Sequence, residues 1–599
     1  MDDTLLQYYE RELTFIREMG AEFAKKYPKI AGRLLLEPDK CEDPHTERLI
    51  EAFALLSGRI HHKIDDDFPE ITESLFNIIY PHYINPIPSM TVVLFEPVRQ
   101  TITPAGYRIE KGTQLYSKPV GGTACQFSTA YPAVIWPIEV ASAALKDPKR
   151  PREGVQQAVC LQLKTFNSLG LSQLGFDSLR FYLNGSHQHM VLLYELLCNN
   201  VTLVEFEFTG KDGKPQVISV PRESILPVGF DPDEVLIPAS PRSFPGYLTL
   251  FEYFCFPEKF LFLDLQGFDK VKALAGGDTV DIWIYLDRPA RQGLLVNADT
   301  FCLNAAPAVN LFRKVAEPIR IERRLSEYRV IPDMRRQEAC EIYYIDRVVS
   351  TLPSQPGRTF EIKPFYSVRH HLEDEVKSTS FWNMKRRLSG RKGDNGTEVY
   401  LSFADADFNP ADPGVEVLTV YSVCTNRDLP SRLPFGDPSG DFSLDTAGPV
   451  SRITCLVKPT PTRRPGLKGA LQWRLISHLS LNYLSLVEGG EGALQELLKL
   501  YDFENTPSSS QQISGIATVA SAHVTRRMGR SFCRGIHVTV TLDEDKFVGA
   551  GLYLFASVLE RFFAQYVSVN SFTQLEVRTV QKKEVLKKWP PRNGKRILI

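Results

Sequence analysis

Apolar residues recur at helical spacing in the first 80 residues. Spacings of three and four place such residues on one face of a helix. In a first segment they are Leu5, Tyr9, Leu13, Ile16, Met19, Phe23 and Tyr27, and in a second they are Leu49, Ile50, Phe53, Leu56, Ile60 and Ile64. Pro28 is expected to end the first helix, and Pro44 suits the first turn of the second. A third short helix is expected before Pro81. The pattern predicts a helical N-terminal module over residues 1–89, which packs on its own chain or in a bundle with other chains.

The pattern changes to alternation after residue 89. From about 90 to 362, short runs of alternating apolar and polar residues lie between turn residues, as in Leu203-Val204-Glu205-Phe206-Glu207-Phe208. Alternation of this kind is typical of half-buried strands. Helical spacing interrupts it at 186–198 and 247–254. The sequence therefore predicts two β-rich domains, over 90–240 and 241–370, the second with helical insertions.

The remainder mixes loops, helices and strands. Residues 378–396 are rich in Lys and Arg and contain glycines, which predicts a mobile basic loop. They belong to a loop-rich domain, 371–512, that is expected to end in helices at 475–487 and 492–501. The last segment alternates a strand at 535–542, a helix at 549–566 and a strand at 574–579. The fold class predicted is α+β and multidomain, with a small α/β C-terminal domain over 513–599.

The helix predicted at 549–566 is apolar over more than one face. Its large apolar residues include Phe555, Phe562 and Phe563. A helix that is apolar on two faces has one face more than a single sheet covers. The second face is expected either to meet a partner, as a dimerisation domain, or to be buried against the chain's own sheet.

Charge and cysteine usage narrow the class of protein. The 599 residues carry 70 Lys and Arg against 71 Asp and Glu, so the net charge of -1 argues against a strongly basic nucleic-acid binder. The ten cysteines form no C-x-x-C pair, which favours reduced thiols in the cytoplasm. The acidic start, Met1-Asp2-Asp3, is unlike a signal peptide, and the longest apolar stretch is too short to span a membrane.

The sequence contains few candidates for chemistry. No phosphate-binding loop, nucleophile elbow or zinc-protease motif occurs, and no metal or cofactor is expected. Asp405 and Asp407 could share one face of a strand as an acid/base pair, which leaves a β-rich hydrolytic enzyme as the alternative. A nucleic-acid binder that uses Lys385 to Lys392 and the basic C-terminal tail is a third hypothesis.

Several long motifs carry a resemblance to a known family. They are Tyr8-Tyr9-Glu10-Arg11-Glu12-Leu13, Pro28-Lys29-Ile30-Ala31-Gly32-Arg33-Leu34, Tyr80-Pro81-His82-Tyr83, Glu252-Tyr253-Phe254-Cys255-Phe256-Pro257-Glu258-Lys259-Phe260, Cys424-Thr425-Asn426-Arg427-Asp428-Leu429-Pro430 and Trp473-Arg474-Leu475-Ile476-Ser477-His478. Together they resemble the TssF family, also called ImpG or VasA, of type VI secretion baseplate subunits. The resemblance spans residues 8–482, and the last hundred residues match in character only.

The resemblance implies a structural role without catalysis. It implies that two copies of the chain join one TssG in a wedge, to which TssK and TssE attach. Six wedges would surround the VgrG hub, nucleate the contractile sheath and contact neighbouring wedges. The baseplate would lie at the cytoplasmic side of the inner membrane. No nucleic acid, small-molecule substrate or membrane insertion is expected.

Ten residues are candidates for contact with partner proteins. They are Tyr8, Tyr9, Leu13, Ile16, Phe53 and Leu56 on the N-terminal helices, Arg427 in the Asn-Arg-Asp-Leu-Pro motif, and Phe555, Phe562 and Phe563 near the C-terminus. Each set has an intramolecular alternative. In the alternatives, the helices pack only on each other, Arg427 fixes a loop, and the phenylalanines lie in the core.

Overall fold

In a computed structural model of the protein, the chain divides into two compact units. One unit comprises residues 1–77 and 466–480, and the other comprises residues 78–465 and 481–599. The structure describes part of each. The described residues are 3–27, 29, 44–66, 75–77, 79–238, 243–321, 325–351, 359–365, 381–404, 417–446, 448–465, 490–528, 531–565, 567, 571–582 and 585–594.

The helices lie near both ends of the chain and between strands of the middle. In chain order they are α1 (Asp3–Lys26), α2 (Pro44–Asp66), α3 (Pro81–Ile84), α4 (His187–Asn199), α5 (Pro245–Cys255), α6 (Phe268–Leu274), α7 (Gly490–Tyr501), α8 (Pro507–Ser514) and α9 (Leu552–Gln565). The helices predicted near 186, 247, 492 and 549 are confirmed. The one predicted at 475–487 lies outside the described residues.

The strands fill the second unit. The first half of them are β1 (Met90–Pro97), β2 (Tyr107–Ile109), β3 (Gln114–Val120), β4 (Thr123–Thr129), β5 (Ala133–Ile135), β6 (Ile138–Lys146), β7 (Gln157–Thr165), β8 (Ser178–Leu183), β9 (Val201–Gly210), β10 (Pro215–Pro221), β11 (Ile225–Pro227), β12 (Phe262–Gln266), β13 (Ala275–Leu286), β14 (Phe301–Cys302) and β15 (Ala305–Val309). The others are β16 (Phe312–Val315), β17 (Ile319–Arg320), β18 (Tyr328–Val330), β19 (Glu341–Thr351), β20 (Thr359–Ile362), β21 (Phe381–Leu388), β22 (Thr397–Ala404), β23 (Val417–Thr425), β24 (Phe442–Leu444), β25 (Val450–Cys455), β26 (Ile516–Met528), β27 (Ser531–Leu542), β28 (Ser571–Thr579), β29 (Val585–Lys588) and β30 (Arg592–Asn593).

Helices α1 and α2 lie against each other in the first unit. Two small residues of α2 lie in this contact: Ala54 is fully buried, and Gly58, one turn later, is buried as well. Across it, Ser57 Oγ donates a hydrogen bond to Glu12 Oε2 at 2.9 Å. The small residues allow the backbones to approach, and the hydrogen bond fixes the register.

A closed β-barrel begins the second unit. Its strand order is β1-β15-β4-β3-β24-β25, and β1 closes it by pairing with both β15 and β25. The barrel interior is apolar, and its buried residues include Val93, Phe95, Leu115, Phe127 and Ile453. Alternate residues of the strands supply this core, as the period-2 pattern predicts.

Further sheets are formed by strands that lie between the barrel strands in the sequence. Two have the orders β10-β9-β13-β7-β6 and β11-β12-β8-β14. Two others, β16-β23-β19-β20 and β18-β22-β21, contribute to one hydrophobic cluster that contains Val348, Leu401 and Val420. The mixed α+β fold class and the β-rich middle are therefore confirmed.

The sheets include strands from distant parts of the sequence. Strand β13 lies between β9 and β7, so residues on both sides of position 240 share one sheet. Strand β23 likewise pairs with β16 and β19, on the other side of position 370. The predicted domain boundaries at 240 and 370 thus pass through sheets rather than between them.

The C-terminal segment forms an α/β arrangement. Its sheet has the order β26-β27-β28-β29, with β30 beside β28. Strands β27 and β28 are parallel, and α9 connects them and packs on β28. A parallel pair requires such a crossover connection.

A buried ion pair joins α5 to the turn that follows it. Lys259 Nζ contacts Glu252 Oε2, and each side chain is only 1% exposed. Glu252 Oε1 also accepts hydrogen bonds from the backbone N–H groups of Leu236 and Ile237, at 2.7 and 3.1 Å. Lys259 Nζ donates in addition to the carbonyl oxygen of Glu234 at 3.0 Å. Every partner is needed because an unpaired buried charge is strongly destabilising.

A buried histidine lies near this pair. His82 of α3 is 1% exposed and packs edge-on against the rings of Tyr80 and Phe251, 5.7 and 5.5 Å away between centroids. Burial lowers the pKa of His82 from its ordinary 6.5 to about 4. The imidazole is therefore neutral in the folded protein at physiological pH.

Replacing Lys259 with methionine tests the buried ion pair. Lys259→Met leaves the Glu252 carboxylate without its cation, so we expect the free energy of unfolding to fall by about 3–5 kcal/mol. Glu252→Gln combined with Lys259→Met should recover part of that loss. Urea unfolding is the measurement. Arg222→Met, which breaks the exposed pair with Glu223, is the control and should cost less than about 0.5 kcal/mol. Equal costs of the two single changes would contradict this account.

The burial of His82 predicts a pH dependence of stability. Below pH 6.5 the unfolded chain binds a proton at His82, whereas the folded chain binds it only near pH 4. Stability is therefore complete above pH 6.5 and is lost as the pH falls toward 4. Between pH 7.5 and pH 5, His82→Leu should remove about 2 kcal/mol of the pH dependence seen in urea unfolding. A His82→Leu variant with the same pH dependence as the wild type would contradict this account.

Candidate protein-interaction surfaces

The N-terminal helices expose a continuous set of large apolar side chains. We call this set the apolar face, and it comprises Phe15, Met19, Phe23, Leu49, Phe53, Leu56 and Ile60. On α1 its members are four residues apart, and on α2 they are three or four apart, so each group lies on one side of its helix. Phe53 is 65% and Leu56 is 56% exposed. Contiguous exposed apolar surface of this kind marks interaction sites.

The candidate residues of α1 are less exposed than the α1 members of the apolar face. Tyr9, Leu13 and Ile16 are each partly buried. The side chain of Tyr8 lies outside the described residues. The structure thus places Phe53 and Leu56 on the apolar face and Tyr9, Leu13 and Ile16 beside it.

Some members of the apolar face were not among the sequence candidates. Phe15 is 57% exposed and Leu49 is 70% exposed. The spacing of four from Phe15 to Met19 and Phe23 is the signal that identifies Phe15. Periodicity alone does not say which of two apolar stripes on α1 turns toward α2, so the choice needs the structure.

Arg427 lies inside the protein rather than on its surface. It is 4% exposed, lies two residues after the end of β23 and has a positive φ of 51°. Its guanidinium forms an ion pair with Asp394 and donates to the carbonyl oxygen of Cys340 at 3.1 Å. These contacts agree with the alternative that the Asn-Arg-Asp-Leu-Pro motif fixes a loop. A role in partner binding stays a prediction that would have to act through the loop.

Asp394 shows the effect of this guanidinium. Burial acts to raise the pKa of Asp394, but hydrogen bonds from Ser389, the Gly396 N–H and Arg427 outweigh it and hold the pKa at about 2. The carboxylate is therefore charged at every physiological pH, and the ion pair persists.

The residue before Arg427 joins the barrel to the next sheet. Asn426 N–H donates to Asn310 Oδ1 at 2.7 Å, and Asn310 Nδ2 donates back to Asn426 Oδ1 at 2.8 Å. Asn426 Oδ1 also accepts from the Gln126 N–H of β4 at 2.8 Å. Reciprocal bonds of this type satisfy buried polar groups on both sides, so they favour one specific arrangement of the two sheets.

Glu341 continues this junction into the neighbouring sheet. Its fully buried carboxylate accepts from the Thr397 N–H and Oγ1, at 2.8 and 2.6 Å. Arg464 binds the same carboxylate through Nη2 at 2.7 Å and Nε at 3.1 Å. We call the set Asn310, Glu341, Thr397, Asn426, Arg427 and Arg464 the polar junction.

The C-terminal phenylalanines lie in the core. Phe555, Phe562 and Phe563 of α9 are all fully buried. Phe555 packs against Tyr253 with ring centroids 5.8 Å apart, and Phe562 packs against Tyr247 at the same distance. Helix α9 is therefore covered by α5 on one side and by β28 on the other, which explains why it is apolar on more than one face. Dimerisation through residues 513–599 stays a prediction, and these side chains are not accessible for it.

The alternative functions have less support in the described residues. Residues 381–388 form strand β21, so the prediction of a mobile loop is wrong there. Arg386 is buried and donates to the carbonyl oxygen of Ile342 at 2.8 Å, and Arg387 pairs with Glu327 at 2.6 Å. These cations serve contacts within the chain. Asp405 and Asp407, the proposed acid/base pair, lie outside the described residues.

The described residues contain neither a metal-binding cluster nor a membrane-spanning helix. Among the described residues, no group of three or more His, Cys, Asp or Glu side chains has a geometry that could hold a metal ion. In the same residues, no helix combines the length and apolarity that crossing a membrane requires.

Comparison with known proteins gives matches over nearly the whole chain. The family model described as "Type VI secretion system, TssF" matches residues 1–596. The "Type VI secretion system component TssF1" of Pseudomonas aeruginosa is 36% identical over 628 aligned residues, which cover 100% of both chains.

Solved structures agree with the sequence matches. A chain of the TssK-TssF-TssG baseplate subcomplex, determined by cryo-electron microscopy, superposes with a TM-score of 0.73 at 27% identity, covering 92% of this chain and 99% of the other. A chain of a type VI baseplate complex has a TM-score of 0.59 at 24% identity, covering 99% and 100%, which shows a likeness of fold. On the family model and the full-length relative, this chain belongs to the TssF family of the type VI secretion system.

Proposed function

We propose that this protein is a non-enzymatic structural subunit of the type VI secretion baseplate, which assembles with TssG and TssK. One observation carries the proposal: the chain matches, over 92% of its length, a chain from a TssK-TssF-TssG subcomplex. The polar junction suits that role because buried, mutually bonded polar groups favour one orientation of the sheets.

The finer organisation follows from the resemblance of the motifs. Two copies of the chain join one TssG in a wedge, and TssK and TssE attach to it. Six wedges surround the VgrG hub, nucleate the sheath and transmit the signal for contraction. The assembled baseplate docks at the cytoplasmic side of the inner membrane. The net charge of -1 supports close association of copies, since long-range repulsion between them is small.

The apolar face is the surface that we assign to TssG and the second copy. Full burial of a large apolar side chain contributes about 1.5–3 kcal/mol. Phe53 and Leu56 lie at the middle of the exposed stretch of α2, so a partner helix laid along the face would cover both. A helix bundle is the geometry that such stripes form most readily.

Charged substitutions on the apolar face test the assignment. Phe53→Asp combined with Leu56→Asp removes two apolar contacts and introduces two charges that would be desolvated. We expect TssG binding to weaken by about a hundredfold or more, measured by co-purification and by titration of the purified chain with TssG.

A matched variant separates this effect from general surface damage. Leu295 and Val548 are exposed apolar residues of the other unit, 81% and 76% accessible. Leu295→Asp combined with Val548→Asp should leave TssG binding unchanged. Both double variants should keep the wild-type circular dichroism, because the body has its own cores. Wild-type affinity in the Phe53 and Leu56 variant would show that the apolar face is not the TssG site.

A further inference from the structure

The C-terminal sheet ends in a long open edge. Strand β26 has 13 residues and is the outermost strand, with β27 on its inner side and, within the described residues, no strand on its outer side. At its base, Gln495 Nε2 of α7 donates to the carbonyl oxygen of Ile516 at 2.9 Å. This bond caps only the first residue of the edge. Outward-facing N–H and C=O groups farther along β26 form a template for another strand.

The outer third of the β26–β27 hairpin extends beyond the sheet. Strand β28 pairs with β27 only from Arg534 to Leu542, and Arg534 lies opposite Thr525 of β26. From Thr525 to the turn, the described residues form two strands alone. Phe532 in this part is 76% exposed. A two-stranded hairpin is marginally stable by itself in water, and a third strand would stabilise it.

The hairpin carries positive charge without any acidic residue. Residues 516–542 contain four arginines and two histidines and no Asp or Glu. Arg526, Arg527 and Arg534 are exposed. The chain as a whole has a net charge of -1, so this concentration of positive charge is local.

We propose that β26 accepts an extended acidic segment of a partner protein as an added strand. Main-chain hydrogen bonds along the edge would supply affinity. Arg526 and Arg534 lie on opposite faces of the hairpin, so carboxylates on the two faces of the added strand would reach one arginine each and supply specificity. A second copy of the hairpin is disfavoured because it also carries four arginines and no acidic residue. The proposal goes beyond the assembly role and does not depend on the apolar face.

A protective role for the arginines is the competing explanation. Natural sheets use charged residues on edge strands to prevent pairing. The two explanations differ in a measurable way, because only an acceptor edge gains hydrogen bonds when an acidic strand is offered.

Two designed peptides and the full-length protein provide the test. One fluorescein-labelled peptide repeats glutamate-glutamate-threonine-valine, which places carboxylates on both faces of a strand, and the other has lysine in place of each glutamate. We expect the glutamate peptide to bind at least tenfold more tightly in fluorescence anisotropy. Arg526→Glu combined with Arg534→Glu should weaken its binding at least tenfold, and Arg526→Lys combined with Arg534→Lys should retain it.

A matched control separates a local from a general charge effect. Arg335 and Arg336 are exposed arginines outside the hairpin, so Arg335→Glu combined with Arg336→Glu should change the affinity less than twofold. Hydrogen exchange supplies the backbone readout. The bound glutamate peptide should slow exchange at alternate amides between Ala520 and Arg527, as an added strand requires.

Several results would overturn the proposal. They are failure of the glutamate peptide to bind, equal binding of both peptides, and binding without slower exchange in β26. Tighter binding of phosphatidylglycerol vesicles or of oligo(dT) than of the glutamate peptide, abolished by the same Arg526 and Arg534 variant, would overturn it in favour of a lipid or nucleic-acid surface.

Discussion

The second unit of this protein depends on a set of buried polar groups that satisfy one another. At the polar junction, Asn426 satisfies backbone and side-chain groups of the barrel, and Glu341 satisfies Thr397 and Arg464. A buried carboxylate or guanidinium that lost its partner would be strongly destabilising, so the sheets have one angle at which all bonds form. Apolar packing alone would tolerate small rotations of one sheet on another. The polar bonds therefore set the mutual orientation of the sheets, and the apolar clusters supply most of the stability.

The two ends of the chain present different kinds of surface. The apolar face of α1 and α2 is broad and suits burial by another helix, whereas the β26–β27 hairpin is narrow, basic and rich in open backbone groups. The first surface would contribute affinity through area, and the second would select partners by charge and by strand geometry. In the intervening part of the sequence, arginines such as Arg386 and Arg427 are occupied by internal contacts.

The local sequence pattern predicts most of the helices and strands, but it does not predict which strands pair with each other. The helical spacing before Lys26 and the alternation in β9 each follow from neighbouring residues, so the sequence indicates them directly. The lysines and arginines at 381–388 predict an exposed loop, but the structure has a strand there. The prediction is wrong because Arg386 is buried by residues far away in sequence, which local composition does not indicate. The same limit applies to the interface candidates. Apolar spacing identifies Phe53 and Phe562 equally, and only the tertiary structure shows that the first is exposed and the second is covered by α5.

The way in which the barrel closes has a consequence during synthesis. Strand β1 pairs with β25, about 360 residues later in the chain. At a translation rate of about 5–20 residues per second, roughly 20 to 70 s pass between the emergence of the two strands from the ribosome. During that interval one edge of β1, with its apolar residues, has no partner strand of its own. A nascent chain in this state is prone to pair wrongly with other chains, so chaperones that hold it open would determine the yield of folded protein more than the stability of the finished barrel does.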